Sequence, residues 1–277
     1  PALPETMPAE DLELTAQWEI NQYTVSFDSK GGTAVADIEE DYGTEISAPT
    51  APTKEGHTFD GWYADEAYQT AVTWPYTLGA SDVTFYAKWN INQYTLTFKV
   101  DGETYDTITQ DYATTVTPPA DPTKTGYTFG GWDATVPATM PAEDLTFNAQ
   151  WSINEYTISF DSDGGSEVED ISQDYGTAIT PPAAPTKEGY TFRGWDPALP
   201  ETMPAEDLEL TAQWEINQYT VSFDSKGGTA VADIEEDYGT EISAPTAPTK
   251  EGHTFDGWYA DEAYQTAVTW PYTLGAS

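Results

Sequence analysis

The phrase Ile153-Asn154-Glu155-Tyr156-Thr157-Ile158-Ser159-Phe160 returns as Ile20 to Phe27, Ile91 to Phe98 and Ile216 to Phe223, each time with a tryptophan two residues before the isoleucine. Those tryptophans, Trp18, Trp89, Trp151 and Trp214, stand 71, 62 and 63 residues apart. Self-similarity at a near-fixed period is the mark of an array of small modules. For a 277-residue chain it decides for several small domains over one large one, so function has to be read from the array. The period divides the chain into residues 1–18, the closing strand of an incomplete repeat; 19–89, a repeat with an eight-residue insert; 90–151 and 152–214, two further repeats; and 215–277, a repeat without its closing strand. Residues 1–81 are identical to 197–277, so a larger period of three repeats is superimposed on the smaller one.

Within a repeat, Leu208, Leu210, Ala212 and Trp214 alternate with Glu209, Thr211 and Gln213, the period-two pattern of a half-buried strand. Copies of this closing strand run through Leu12 to Trp18, Val83 to Trp89 and Leu145 to Trp151. The apolar parity then slips by one before Tyr23, Val25 and Phe27. A one-residue slip turns every side chain to the other face, which places a bend at Asn21–Gln22 and its copies. The link is three or four residues long, and neighbouring repeats are expected to touch. Strand Tyr23 to Phe27 leads through Asp28-Ser29-Lys30-Gly31-Gly32, a turn whose glycines supply positive φ, into a second strand through Val35 and Ile38. The second repeat replaces this turn with Asp101-Gly102, a two-residue type I′ signal. Between Ile46 and Gly56, Pro49 and Pro52 leave room only for a short helical or 3₁₀ turn. A third strand follows at His57 to Trp62, copied at Tyr127, Tyr190 and His253.

The whole unit resembles the Listeria–Bacteroides repeat, the internalin B-repeat type. The resemblance is carried by Tyr156 to Phe160, Gly164-Gly165, Asp174-Tyr175-Gly176-Thr177, Pro185 to Phe192, Gly194-Trp195 and Ala212-Gln213-Trp214, and it covers essentially the entire chain. It implies a β-rich α+β fold, a linear array of small β-grasp, ubiquitin-like domains, on the outside of a bacterium. It brings no catalytic residues with it.

Charge and composition narrow the partners. Forty-eight acidic against nine basic residues give a net charge of −39, which repels nucleic acid and anionic membrane surfaces. With no cysteine, disulfides, thiol nucleophiles and Cys-based zinc sites are excluded. No apolar run is long enough to span a bilayer, so no membrane insertion is expected of these residues.

Candidate sites follow from what the repeats do not share. The histidines, His57 and His253, exchange with Tyr127 and Tyr190 and read as strand positions rather than catalytic bases. Asp161-Ser162-Asp163 carries two carboxylates in a glycine-rich turn, a weak candidate for Ca²⁺, but Lys30 and Lys226 stand where Asp163 does in the copies. No cofactor is expected beyond non-specific Ca²⁺. The insert brings Tyr68, Trp74 and Tyr76, and its copy brings Trp270. As aromatics absent from two repeats they are the candidates for binding a glycan or protein. Leu3-Pro4-Glu5-Thr6 looks like the start of a sortase signal, but Met7 stands where that signal needs glycine. Lys54, Lys124, Lys187 and Lys250 read as exposed turn lysines.

No Ser/His/Asp, metal or phosphate-cradling constellation is present, so the reading is a structural array, a stalk or fibre of a secreted or surface protein. The alternative is an adhesin segment binding through the aromatic inserts. The partners expected are neighbouring repeats. For the closing strand that 215–277 lacks two expectations stand: these residues are a window on a longer array that supplies it from beyond residue 277, or Leu12, Leu14 and Trp18 of one molecule supply it to the next by head-to-tail self-association.

Overall fold

The computed structural model describes Thr6 and residues 9–275; most of the Leu3–Met7 stretch lies outside the described residues. All of its regular structure is strand. In the first repeat these are β1 (Gln22–Asp28), β2 (Ile38–Asp41), β3 (Glu45–Ile46), β4 (His57–Tyr63), β5 (Tyr76–Thr77) and β6 (Val83–Ile91). The second holds β7 (Gln93–Val100), β8 (Glu103–Asp111), β9 (Tyr127–Trp132) and β10 (Leu145–Ile153), and the third β11 (Glu155–Asp161), β12 (Ile171–Asp174), β13 (Tyr190–Asp196) and β14 (Leu208–Ile216). The fourth has β15 (Gln218–Val221), β16 (Ile234–Asp237), β17 (Glu241–Ile242) and β18 (Tyr272–Thr273).

This corrects the expected fold class. Among the described residues there is no helix, so the chain is all-β rather than α+β, and no helix is there to complete a ubiquitin-like β-grasp. The Ile46 to Gly56 segment, expected to make a helical turn, has none. Pro49 and Pro52 each crowd the residue before them, Ala48 and Ala51, out of the α region, and their spacing leaves no free turn between. The segment instead runs irregularly beside the end of the hairpin, with Thr33 N donating to Thr53 O and Thr53 N to Thr33 Oγ1.

Each of the first three repeats is one four-stranded sheet, in the orders β2-β1-β6-β4, β8-β7-β10-β9 and β12-β11-β14-β13. The closing strand is central. It runs parallel to the first strand, with Val25 opposite Val83 and Phe27 opposite Phe85, and antiparallel to the third, with Phe59 opposite Trp89. An aspartate at its start fixes that register: Asp82, Asp144 and Asp207 accept from the amides of Thr24, Thr95 and Thr157.

The two hairpin turns differ as their sequences do. Asp101 and Gly102 both have positive φ, 50° and 88°, and the tight turn lets β7 and β8 pair along their length. In the longer turn the positive φ falls on Lys30 (49°) and Gly31 (86°), not on Gly32, and β2 is only four residues long. Val35 stays outside any strand but packs on the core.

By its contacts the chain divides into two compact units, one holding residues up to Pro122 with Gly131–Gln150, the other Thr123–Gly130 with the chain from Trp151 onward. In the first, Val25, Phe27, Trp62, Leu78, Phe85 and Ala87 form one core and Leu96, Phe98, Val116, Met140 and Phe147 another. In the second, Ile158, Ile179, Met203 and Leu210 form the core of the third repeat.

Candidate functional site

The arrangement that recurs with the least variation is the joint between one repeat and the next. Strand β6 ends at Ile91 and β7 begins at Gln93, so a single residue, Asn92, separates them. The bend falls at the copy of the expected position, but the link is shorter than the three or four residues expected. Asn92 serves both sides. Its amide donates to Gly56 O, its carbonyl accepts from Tyr112 N, Thr58 Oγ1 donates to its Oδ1, and its Nδ2 donates to the Tyr94 hydroxyl.

The same bonds recur around Asn154, with Gly126, Tyr175, Thr128 and Tyr156. Around Asn217 they recur with Gly189, Tyr238 and Thr191. In each joint a tyrosine ring of the later repeat lies flat against the glycine of the earlier one, so closely that a Cβ there would stand 2.1 Å from ring atoms. A second ring meets that tyrosine edge-on: His57 against Tyr112, Tyr127 against Tyr175, Tyr190 against Tyr238. Burial, then the charge of Glu55, raises the pKa of Tyr112; burial, then Glu188, does the same for Tyr238. The exchange of His with Tyr at position 57 is thus the exchange of one flat ring for another.

A second recurring device lies inside the repeat. The indole of Trp89 rests on Gly32, where a Cβ would come within 2.5 Å of it, and Nε1 donates to Ser29 O. Lys54 places its ammonium 5.8 Å from that ring while bonding Lys30 O. Trp214, Gly165, Ser162 and Lys187 repeat the set. Lys54 and Lys187, expected to be exposed turn lysines, are instead half-buried staples between turn and indole. The second glycine serves ring packing rather than the turn. In the second repeat the short turn offers no such carbonyl, and Trp151 Nε1 is buried without a partner.

The residues singled out from sequence are placed as follows. Trp74 and Tyr76 turn inward, edge-on to Phe85 at 5.9 and 4.9 Å, and Tyr76 belongs to β5, which pairs with β3. Tyr68 lies against Tyr63. Trp270 stands 6.4 Å from Phe223 and near Tyr272. The structure therefore brings Trp74 and Tyr76 together on a core residue and sets Tyr68 apart from them.

In the Asp161 turn, Asp161 Oδ1 accepts from Asp163 N, and Lys187 bonds the Asp163 carbonyl. Among the described residues no group of three or more His, Asp or Glu side chains is placed to share a metal ion. Leu12, Leu14, Trp18 and Ile20 are exposed and outside any strand.

Sequence reasoning missed Leu78, Met140 and Met203, which plug the three cores from the link before the closing strand. Their carbonyls accept from Gly43, Ala113 and Gly176. The signal was available in the shared position of Met140 and Met203, but a proline-rich stretch reads as solvent-facing.

The model of the Listeria-Bacteroides repeat domain matches four times in tandem, at residues 23–88, 94–150, 156–213 and 219–274. A protein of Evansella cellulosilytica, by name a Gly-rich membrane protein, is 40% identical over 273 residues, 92% of this chain and 32% of its own length. A second from that organism, by name a membrane protein, is 37% identical over 89% of this chain and 40% of its own. Internalin H of Listeria monocytogenes is 39% identical over 129 residues, 43% of this chain and 22% of its own. The chain thus spans well under half the length of each of these relatives, and none of the three names is that of an enzyme. Among solved structures, domains 3–4 of Streptococcal High Identity Repeats in Tandem, from a cell surface protein, overlap 48% of this chain and 98% of their own. At 18% identity and a TM-score of 0.17, that overlap does not establish a shared fold. Four matches over most of its length, with Internalin H carrying the same repeats, make this chain a tandem member of the Listeria-Bacteroides repeat family.

Proposed function

We propose that the chain is a spacer: a run of repeats in the extracellular part of a bacterial surface protein, holding other parts of that protein at a set distance from the cell. The observation that carries this reading is the joint. A single-residue link, bonded on both sides and covered by a ring on a glycine, recurs three times with the same residues in the same roles. Such a joint leaves little conformational freedom between adjacent repeats, whereas a flexible tether would use a longer, Gly/Ser-rich link. The names of the relatives support a place at the surface.

Small-angle scattering from chains of one to four repeats tests the spacer. The expected result is a maximum dimension that grows by roughly equal steps of about 25–35 Å per added repeat. A dimension that levels off as repeats are added would overturn it.

Ligand binding through the inserts is the less supported reading. Trp74 and Tyr76, the aromatics it would need, are partly buried and packed edge-on against the core residue Phe85.

A further inference from the structure

The second strand of the second repeat is built unlike its copies. The Asp101-Gly102 turn lets β8 run for nine residues, Glu103–Asp111, whereas β2 and β12 have four each. All three lie at the edge of their sheets. In β2 that edge is short and ends in Glu39-Glu40-Asp41, and such acids blunt an edge against pairing. In β8 the stretch from Thr107 to Gln110 carries no charge, and Thr and Ile are good strand formers. The opposite edges are interrupted: Gly61, Gly131 and Gly194 stand within β4, β9 and β13 at φ of 134°, 99° and 127°. Register shifts accompany Gly61 and Gly194, and such bulges re-aim an edge. The irregularity of β8 falls near its start, at Tyr105, and the strand pairs regularly from Asp106 to Asp111.

Three bonds fix which way its backbone groups point. Tyr112 N donates to Asn92 O across the hairpin, so the alternate pairs, Gln110 with Tyr94 and Ile108 with Leu96, exchange the ladder bonds. The pairs between them, Thr109 with Thr95 and Thr107 with Thr97, do not. Thr109 and Thr95 accordingly bring their hydroxyls within 2.8 Å, the closer approach of a non-hydrogen-bonded pair. Thr95 N donates the other way, to Asp144. The N–H and C=O groups of Thr107 and Thr109 therefore face out from the sheet. Thr107 N bonds the Asp106 carboxylate at 2.8 Å, and both residues are exposed.

We propose that the outer edge of β8 docks an extended, positively charged segment of another protein, which adds a fifth strand to the sheet of the second repeat. Backbone groups of Thr107 and Thr109 supply the pairing, and charge selects the occupant. The chain carries −39, and β8 itself holds Glu103, Asp106 and Asp111. A second copy would bring the same acids edge to edge, where like charges directly opposite are destabilising. A cationic strand reverses that sign. A lysine or arginine opposite Asp106 draws its carboxylate off the Thr107 amide and frees that donor for the incoming strand. An apolar side chain opposite Ile108, which packs on the core, extends the covered surface.

Titration of the full chain with the end-blocked peptide Lys-Thr-Val-Ile-Thr-Lys, followed through amide resonances in about 0.15 M NaCl, tests the proposal. In either direction this peptide sets a lysine opposite Asp106 and an apolar residue opposite Ile108. Saturable shifts are expected at Thr107, Thr109 and Asp111, with the edges of β2 and β12 unmoved. The same peptide N-methylated at its internal amides keeps its charge but loses its strand donors, and is expected to bind roughly tenfold more weakly or worse. Thr109→Pro removes an outward N–H that takes no part in the ladder with β7, the kind of edge position where proline is tolerated, and is expected to weaken binding by a similar roughly tenfold. Asp106→Lys, on an exposed side chain, is expected to do the same. Should Thr109→Pro cost Ile108 and Gln110 their exchange protection, Asp106→Lys and the methylated peptide decide. Four results overturn the proposal: no saturable binding; equal binding of the methylated peptide, which would mean charge alone; equal shifts along β2 and β12; or dimers of the free chain that Thr109→Pro abolishes, which would give the edge to a second copy.

Discussion

Gly56 meets two demands at once: a φ of +69°, which L side chains rarely adopt, and a tyrosine ring where its Cβ would be. Gly252, its copy in the fourth repeat, has the first demand (φ +72°) without the second. The pair therefore separates backbone strain from the joint. Gly252→Ala is expected to cost about 1–2 kcal/mol, the penalty of a left-handed L residue. Gly56→Ala is expected to add a further 1–3 kcal/mol or so for displacing Tyr112, the usual range for overpacking. Denaturant unfolding of the two variants checks this. Equal losses would show that the tyrosine holds the repeats together weakly. The buried Trp151 Nε1 shows the reverse case, a polar group stranded because the turn that would satisfy it was shortened.

Among elements, the insert shows how a loop becomes part of a sheet. Asp65 ties its first turn, accepting from Gln69 N at 3.0 Å and Thr70 N at 2.8 Å. These amides, Gln69 first, hold the Asp65 pKa below its ordinary 3.8. A carboxylate with a depressed folded pKa adds stability that is present above the unfolded value and lost as pH falls through the folded one. The Gln69 and Thr70 amide resonances are therefore expected to shift, and their exchange protection to fall, with a midpoint below 3.8. Asp65→Ala should remove that protection at every pH. A midpoint above 3.8 would show that the turn is held by something else.

Much of this level was legible from sequence. Alternation placed the closing strand, Asp101-Gly102 named its own turn, and the parity slip located the bend. What was not legible depends on tertiary partners. His57–Tyr63 and His253–Tyr259 share one sequence and differ in structure, because strand propensity is realised only against a neighbour. Lys54 reads as a surface charge until the indole beneath it is in place, and Met140 reads as a loop residue until the core it plugs is closed.

At the scale of the whole molecule, charge is the term that local bonding leaves uncompensated. The ion pairs formed among the described residues, such as Lys30 with Asp28 and Glu66, Lys88 with Asp60, and Arg193 with Glu215, are solvent-exposed, and each contributes little. Nine cations cannot offset 48 anions however they are placed, so repulsion outweighs attraction over any distance the solvent transmits. That distance is about 30 Å at 0.01 M salt and about 8 Å at 0.15 M. At low salt each repeat feels the charge of its neighbour; at moderate salt it feels little beyond its own. Adding salt therefore screens more repulsion than pairing, the opposite of its effect on a protein held by surface ion pairs. The melting temperature is expected to rise steadily from about 0.01 to 0.15 M NaCl and then to level off as the screening length falls below the spacing of the charges. Ca²⁺ should act at lower concentration, through its double charge and its preference for carboxylate oxygen. Calorimetry across both titrations checks the order. A melting temperature that falls with NaCl would mean that the few ion pairs matter more than the many unpaired carboxylates.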